Sequence, residues 1–305
     1  MVDSQENKYG RVGVEVSSTV FRAVSLDGGS AVDKTFSAPV EPSEPRGTQL
    51  VSFIKALRTE FGNFDRVGLA FPGLVDRVTQ RVAFSAHIPE NADGDLVRDV
   101  QSATGLQITI ENDANAAAFG EFKLGAGRGS RNMFYITLGE GVGGAFIFEG
   151  EIWRGAAGFA GEFGYVPINS EGMRLEEVAS TTNIVRRTRA RFHKDNTSSL
   201  SNLAEEEITL DAILTAARND DDFAQMMLKR TGAYVGSAVA SVINLLNLEM
   251  IVVGGEIMNA EQLVLGAIIE RANELSFKPS FNSTSIVEGL LGENAAAAGA
   301  ALLAN

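Results

Sequence analysis

The chain has 305 residues, room for one large domain or two of ordinary size. Hydrophobic residues make up 45%, which supports a sizeable core, and the absence of cysteine excludes disulfides and thiolate metal sites, as suits a cytoplasmic protein. A formal net charge of -13 argues against a nucleic-acid or anionic-membrane surface, where phosphate neutralisation needs clustered Lys and Arg.

Residues 1–10 are polar and show no basic leader followed by an apolar run. Arg11 to Val16 alternates and is rich in valine, Val20 to Leu26 is a second strand-like run, and Ser17-Ser18-Thr19 forms a tight turn between them. Asp27-Gly28-Gly29-Ser30 turns the chain into a third strand ending near Ser37, so the fold opens on an antiparallel meander. Pro39, Pro42 and Pro45 mark a loop. Leu50, Phe53, Ile54, Leu57 and Phe61 recur at helical spacing within Gly47 to Phe61. Arg66 to Phe71 reads as a buried strand halted by Pro72-Gly73. Arg77 to Phe84 reads as another strand, Leu96 to Ala103 as a helix and Leu106 to Ile110 as a strand.

That last strand feeds Glu111 to Glu121, where Asn112, Asp113 and Asn115 precede a helix-forming alanine run. An Asx residue in this place ordinarily caps the helix, because its oxygen accepts orphan backbone N–H groups. A carboxylate at the mouth of a cleft also suits a general base.

The pattern then restarts. Gly125 to Gly129 is a loop, Met133 to Leu138 a strand, Gly139 to Gly144 a glycine-rich turn, and Ala145 to Glu149 a return strand. The echo of the first meander suggests two related halves. Gly155 to Gly172 is glycine-rich and irregular, and helical patterns run from Leu175 to Asn247 with a polar break near Asp195 to Asn202. Gly232 to Gly255 is the most apolar region, but Ser237, Ser241, Asn244, Asn247 and Glu249 interrupt it. A buried helix followed by a strand fits it better than a membrane span. Met250 to Val253 is a buried strand ending at Gly254-Gly255. A helix, a strand at Thr284 to Val287 and an alanine-rich helix from Glu293 follow.

Gly139-Glu140-Gly141-Val142-Gly143-Gly144 matches G-x-G-x-x-G, but the strand-like residues after it remove the helix that a dinucleotide site requires. It reads equally as a plain hairpin or as a backbone cradle for phosphate. Ser17-Ser18-Thr19 offers hydroxyls and backbone donors of the same kind, although polar residues are expected in any such turn. Glu15 before it is a candidate ligand for a phosphate-associated Mg²⁺, or a solvated strand-end residue. Gly161-Glu162-Phe163-Gly164-Tyr165 places a carboxylate and a phenol in a tight loop, and Glu176 and Glu177 open a helix. His87 is a loop residue, an ordinary surface loop position or a candidate ligand contact. His193 belongs to a basic helix face, and the two histidines without cysteine make no tetrahedral zinc set.

Together these motifs resemble those of the ROK family, the repressors, open reading frames and sugar kinases. Glu111 to Glu121 is similar to E-N-D-A-N-A-A-A-x-G-E, and Pro72 to Asp76 to P-G-x-V-D. Leu138 to Gly144 is similar to L-G-x-G-x-G-G, Arg154 to Gly164 to R-G-x-x-G-x-A-G-E-x-G, and Leu175 to Ser180 to L-E-x-x-A-S. The resemblance implies an α/β actin-like, ribonuclease-H-like ATPase fold of two lobes with sugar and nucleotide in the cleft between them. Residues 1–118 would form the smaller lobe, joined by a terminal helix at 290–305, and residues 119–289 the larger. It implies transfer of the γ-phosphoryl group of ATP, with Mg²⁺, to a hexose or N-acetylhexosamine hydroxyl, in the manner of a glucokinase. Asp113 matches the catalytic base, and Asn112, Glu162 and Glu176 match the sugar-hydroxyl ligands, with Gly73 and Tyr165 expected beside them on the sugar side. Thr19, Gly139, Gly141, Gly143, Gly254 and Gly255 match the nucleotide side, and Ser17, Ser18 and Glu140 stand at nucleotide-side positions where the family has other residues. A homodimer is expected.

The departures are as specific. The family's first phosphate loop, D-x-G-G-T-K, is here Glu15-Val16-Ser17-Ser18-Thr19-Val20, and Glu140 replaces the usual threonine of the second. A carboxylate ~4 Å from a γ-phosphate charge is repelled by roughly 4 kcal/mol at an effective dielectric of ~20 unless Mg²⁺ bridges the two. Tyr165 replaces the zinc-motif histidine and no cysteines follow, so zinc is not expected. Two functions stay open: an ATP-dependent sugar kinase, or a sugar-binding sensor on the same scaffold. A repressor is not expected, because residues 1–10 leave no room for a winged helix and the charge is wrong.

Overall fold

The computed structural model describes residues 10–28, 31–76, 78–85, 88, 95–194, 197–260 and 262–304. Gly29, Ser30, Arg77, His87 and Asp195, named above, lie outside them. In chain order the elements begin with β1 (Arg11–Val16), β2 (Val20–Asp27), β3 (Ala31–Pro39), α1 (Arg46–Phe61), β4 (Arg66–Phe71), β5 (Leu74–Asp76) and β6 (Arg81–Phe84). Next come α2 (Leu96–Thr104), β7 (Gln107–Asn112), α3 (Asp113–Leu124), β8 (Met133–Leu138), β9 (Val142–Phe148), β10 (Glu151–Trp153), α4 (Glu176–Ala179) and α5 (Thr181–Arg189). The chain continues through α6 (Leu210–Arg218), α7 (Asp222–Leu246), β11 (Met250–Gly254), α8 (Gln262–Leu275), α9 (Lys278–Asn282), β12 (Ser285–Glu288) and α10 (Ala295–Leu303).

Among the described residues, one five-stranded sheet has the order β3-β2-β1-β4-β7 and another β10-β9-β8-β11-β12. In each, the third, second, first, fourth and fifth strands of the set follow one another, so the two halves share one strand order. The chain divides into two compact units: Met1–Gly129 with Ala145–Ala160 and Leu290–Asn305, and Ser130–Gly144 with Gly161–Gly289. A boundary at residue 118 falls inside α3, which stays whole in the first unit because it packs along α10.

In the first unit, β1 pairs antiparallel with β2 and parallel with β4, and β4 pairs parallel with β7. Alternation along a strand sends neighbouring side chains to opposite faces. Val12, Val14, Val67, Leu69 and Phe71 therefore share one face, in a core with Leu50, Ile54 and Leu57 of α1 and Val97 and Val100 of α2. Gly13 and Gly68 lie among the intervening residues: a Cβ at Gly13 would lie 1.9 Å from the Ala297 carbonyl oxygen, and one at Gly68 would lie 1.9 Å from that of Ala300. The alanine helix α10 thus rests on the sheet backbone itself. It meets α3 equally closely, since a Cβ at Gly299 would stand 1.7 Å from the Ala116 carbonyl oxygen.

In the second unit, β11 pairs parallel with β8 and β12. The apolar stretch from Gly232 is buried helix followed by strand, as its interruptions suggest, and no helix among the described residues is long and apolar enough to cross a membrane.

Several element limits differ from the sequence reading; β3 runs through Pro39, expected in the loop, because β3 is an edge strand that tolerates a proline opposite Val20. The strand expected over Arg77 to Phe84 is confined to β6, which pairs antiparallel with β5, a short strand lying before that run. Asp76 Oδ1 accepts the N–H groups of Val78 at 2.8 Å and Thr79 at 3.2 Å, which bends the chain where a strand would run straight. β7 extends to Asn112 because Glu111 and Asn112 stay in register with Ala70 and Phe71. β9 begins at Val142, so the second turn is confined to Gly139–Gly141, closed by Gly139 N–H donating to the Gly141 carbonyl at 3.0 Å.

The close approach of α10 makes opposite predictions for one type of substitution. Gly299→Ala forces backbone apart and is expected to cost about 3 kcal/mol or more. Gly266→Ala, in α8 with open space around it, removes a helix-interior glycine and is expected to stabilise by about 0.5–1 kcal/mol. Urea denaturation of both variants checks the contrast, and equal effects would rule out the tight seam.

Candidate active site

The first unit gathers its polar side chains where β7 becomes α3. Asn112 caps the helix: its Oδ1 accepts the Asn115 N–H at 2.9 Å. Its amide donates at 3.0 Å to the Gly73 carbonyl and at 3.0 Å to Asp113 Oδ1. Gly73 earns its place by geometry, with φ 139 and a Cβ position only 2.3 Å from the Phe84 carbonyl oxygen. Asp113 opens the helix, and its Oδ1 also accepts the Ala114 N–H at 2.9 Å. The cap and the candidate base are therefore neighbours held by one amide: the cap reading applies to Asn112, and Asp113 stands beside it as the candidate base.

Behind them lies a pair that the sequence reading passed over. Glu111 is 5% exposed, and its Oε1 accepts the Asn112 N–H at 3.0 Å and the Asn115 amide at 3.1 Å. Its Oε2 receives Arg154 Nη2 at 2.6 Å and Nε at 3.2 Å, while Arg154 Nη1 reaches the Ile152 carbonyl at 3.2 Å. Both residues stand in family-like motifs, which was the available signal, but nothing local joins them. At the far end of α3, Glu121 is buried and accepts the N–H groups of Ala126 at 2.8 Å, Leu290 at 3.0 Å and Leu291 at 2.8 Å.

Glu15 stands in β1 opposite Arg22 of β2, with Arg22 Nη1 3.5 Å from Glu15 Oε2 and Arg22 Nε 3.2 Å from Glu293 Oε2. Burial pushes the Glu15 carboxyl up to about 7; Arg22 pulls it down, and the charges of Asp113 and Glu293 add to the rise. Two carboxylates that repel, one of them desolvated, are a donor set that fits a divalent cation, because Mg²⁺ takes one or two carboxylates beside phosphate oxygens. Ser17, Ser18 and Thr19 form the expected turn after β1.

The second unit brings together Glu176, Glu162 and the second turn. Glu176 opens α4, and its Oε2 accepts the Val142 N–H at 2.9 Å. Burial first, and then the charge of Glu176, raises the Glu162 carboxyl above its ordinary value. The Gly139 carbonyl accepts the Thr181 N–H at 2.8 Å, and Glu140 is exposed at the tip. Gly254 and Gly255 adjoin this turn: Cβ atoms there would meet the Tyr135 hydroxyl and the Leu138 carbonyl oxygen, each at 2.4 Å. Tyr165 lies under the Arg174 guanidinium, 4.4 Å from its ring centroid. The strip between them is closed by Ile168 N–H to the Met173 carbonyl at 2.8 Å and Leu175 N–H to the Val166 carbonyl at 2.9 Å. No group of three His, Cys, Asp or Glu fit to hold a metal occurs among the described residues.

Paired sheets of one strand order, with carboxylates at the strand ends, define an actin-like, ribonuclease-H-like ATPase fold. The chain belongs to the ROK family, whose sequence model matches residues 11–305. It is 35% identical over 246 residues to a glucokinase of Thermotoga maritima, covering 77% of each chain. It superposes with a TM-score of 0.84 and 28% identity on the crystal structure of a ROK family glucokinase from Streptomyces griseus in complex with glucose and AMPPNP, covering 97% of this chain and 99% of that one. It is also 26% identical to a xylose repressor of Bacillus subtilis over 76% of this chain and 59% of the repressor.

Two predictions follow from the carboxylates. Removing one partner of a buried ion pair strands a charge, so Arg154→Met is expected to cost about 3–5 kcal/mol, and Glu111→Gln with Arg154→Met far less than the sum of the two singles. Denaturant melts of the four proteins close the cycle, and additive losses would reject the coupling. Glu15 has a raised pKa, so the neutral acid stabilises the fold fully below its ordinary value of 4.5, and that contribution is lost as pH rises through about 7. Its side chain keeps 21% of its surface exposed, which moderates the energy. Glu15→Gln stays neutral and is expected to gain about 1–2 kcal/mol on the parent protein between about pH 5 and pH 8. A pH-independent difference in urea melts would contradict this.

Proposed function

We propose that this protein is an ATP-dependent sugar kinase that phosphorylates a hexose or N-acetylhexosamine, working in the cytoplasm as a homodimer. The observation that carries the reading is the Asp113 carboxyl, fixed at the start of α3 by the Asn112 amide and the Ala114 N–H. The similarity to the Thermotoga maritima and Streptomyces griseus glucokinases supports it. In this reading Asp113 takes the proton of the attacking hydroxyl. That oxygen forms a bond to the γ-phosphorus, the bond from the γ-phosphorus to the bridging oxygen breaks, and ADP leaves. A positioned base of this kind contributes typically ~10²–10⁴-fold.

Asn112, Glu162 and Glu176 are the sugar ligands in this reading, with Gly73 and Tyr165 beside them. Asn112 has both amide hydrogens committed, so it would meet the sugar through Oδ1. The turns Ser17–Thr19 and Gly139–Gly141, with Gly143, Gly254 and Gly255, take the nucleotide. Glu15 would hold Mg²⁺, which neutralises phosphate charge when bound.

One observation favours a second reading, a sugar-binding sensor that turns over ATP poorly. The Ser17 hydroxyl accepts the Val20 N–H at 3.0 Å and the Thr19 N–H at 3.3 Å, donors that a phosphate would use. The similarity to the xylose repressor is consistent with a regulatory use of the scaffold.

A coupled ADP-release assay over hexoses and N-acetylhexosamines separates the two. Turnover with at least one sugar is expected. Asp113→Asn should lower kcat by about 10²–10⁴-fold with little change in sugar KM. Calorimetric sugar binding without turnover in the parent protein would sink the kinase and leave the sensor.

A further inference from the structure

The chain replaces a glycine by Ser17 in a turn that the proposed function gives to phosphate, and the structure shows what that serine does. Ser17 Oγ accepts the Val20 N–H at 3.0 Å and the Thr19 N–H at 3.3 Å, and donates its proton to the Val20 carbonyl at 2.8 Å. The Ser17 N–H donates to the same carbonyl at 3.1 Å. A hydroxyl has one proton and two lone pairs, so all its capacity is spent inside the turn. Arg46, the first residue of α1, adds an outside brace by donating Nη1 to the Ser17 carbonyl at 2.5 Å. A turn that meets its own donors needs no anion to satisfy them.

We propose that the Ser17 hydroxyl is a built-in competitor for phosphate at the first turn, and so sets the affinity of this site for the phosphoryl donor. The inference rests on the kinase-fold reading of the turn as a nucleotide contact. A phosphate oxygen makes charge-assisted bonds, which are stronger than the neutral ones it must displace. The turn is therefore weakened as a phosphate grip rather than abolished. Each neutral bond displaced costs about two- to tenfold in affinity. The sugar contacts proposed above contain no part of this turn, so the hydroxyl acts on the nucleotide alone.

Titration of Mg–AMPPNP into the parent protein, Ser17→Ala and Ser17→Gly by calorimetry tests it. Ser17→Ala removes the hydroxyl and keeps ordinary backbone restriction; Ser17→Gly also frees the backbone. Both are expected to tighten Mg–AMPPNP by about three- to thirtyfold, with adenosine and sugar affinities unchanged within about twofold, because only phosphate competes for these donors. Unchanged or weaker Mg–AMPPNP binding in both variants overturns the proposal, even if their melting temperatures fall. So does equal tightening of adenosine, which has no phosphate. Failure here is distinct from failure of the kinase: tightening without turnover keeps the competitor and loses the kinase, whereas turnover with unaltered affinity does the reverse.

Discussion

The junction of β7 and α3 depends on one buried carboxylate. Glu111 is an acid in a setting that would not accept an unpaired charge, where ionised groups cost several kcal/mol. Its burial holds only because each oxygen is filled: Arg154 takes one in a two-pronged contact, and the Asn112 N–H and Asn115 amide take the other. A group so fully committed has one arrangement, and Asn112 and Asp113 inherit it. Buried ion pairs are weak sources of net stability, so the consequence to look for is position: the Asp113 carboxyl is aimed before any ligand arrives.

The helix that carries this junction is held at its other end by the same chemistry. Glu121 gathers three backbone N–H groups and so ties α3 to the segment entering α10. Between the two acids, α3 is mostly alanine and glycine, and α10 answers with the same residues. That composition is poor in side-chain contact but allows backbones to approach so closely that Gly299 has no room for a Cβ. Two acids fix the ends, small residues fix the spacing, and the sheet glycines Gly13 and Gly68 seat the pair on β1 and β4. Rigidity here comes from exclusion of alternatives rather than from bulk.

What could be read from sequence followed the range of the interaction. Arg66–Phe71 stood out because an apolar run ends at Pro72-Gly73, and α1 because Leu50, Phe53, Ile54 and Leu57 keep a helical period. The family-like motifs placed Asn112 and Asp113, and ordinary cap preference also fitted Asn112. Asp76 shows a local miss: its side chain bends the chain at Val78 and Thr79, and residue patterning treats that bend as strand. The pairing of Glu111 with Arg154 spans 43 residues, and that of Glu121 with Leu291 spans 170. No periodicity links positions so distant. The donors spent by Ser17 were invisible for another reason: a hydroxyl in a turn is expected, but which N–H groups it occupies is a matter of geometry.

The two phosphate turns differ in how they are closed, and this bears on the choice between kinase and sensor. The second is closed by the Gly139 N–H to the Gly141 carbonyl and steadied by Glu176 through the Val142 N–H, so a proposed sugar ligand and a proposed phosphate turn share one carboxylate. Sugar seated against Glu176 would then bear on the turn at Gly139–Gly141. The first turn is closed by the Ser17 hydroxyl as well as by its backbone and is braced by Arg46, and Glu15 two residues earlier has its own charge suppressed by burial and by Asp113. The proposed base is thus firmly placed, one proposed phosphate contact is coupled to the proposed sugar side, and the other meets its own donors. A pure sensor has no use for an aimed carboxyl on a desolvated ion pair. That asymmetry favours a kinase whose first phosphate turn restrains the donor it binds.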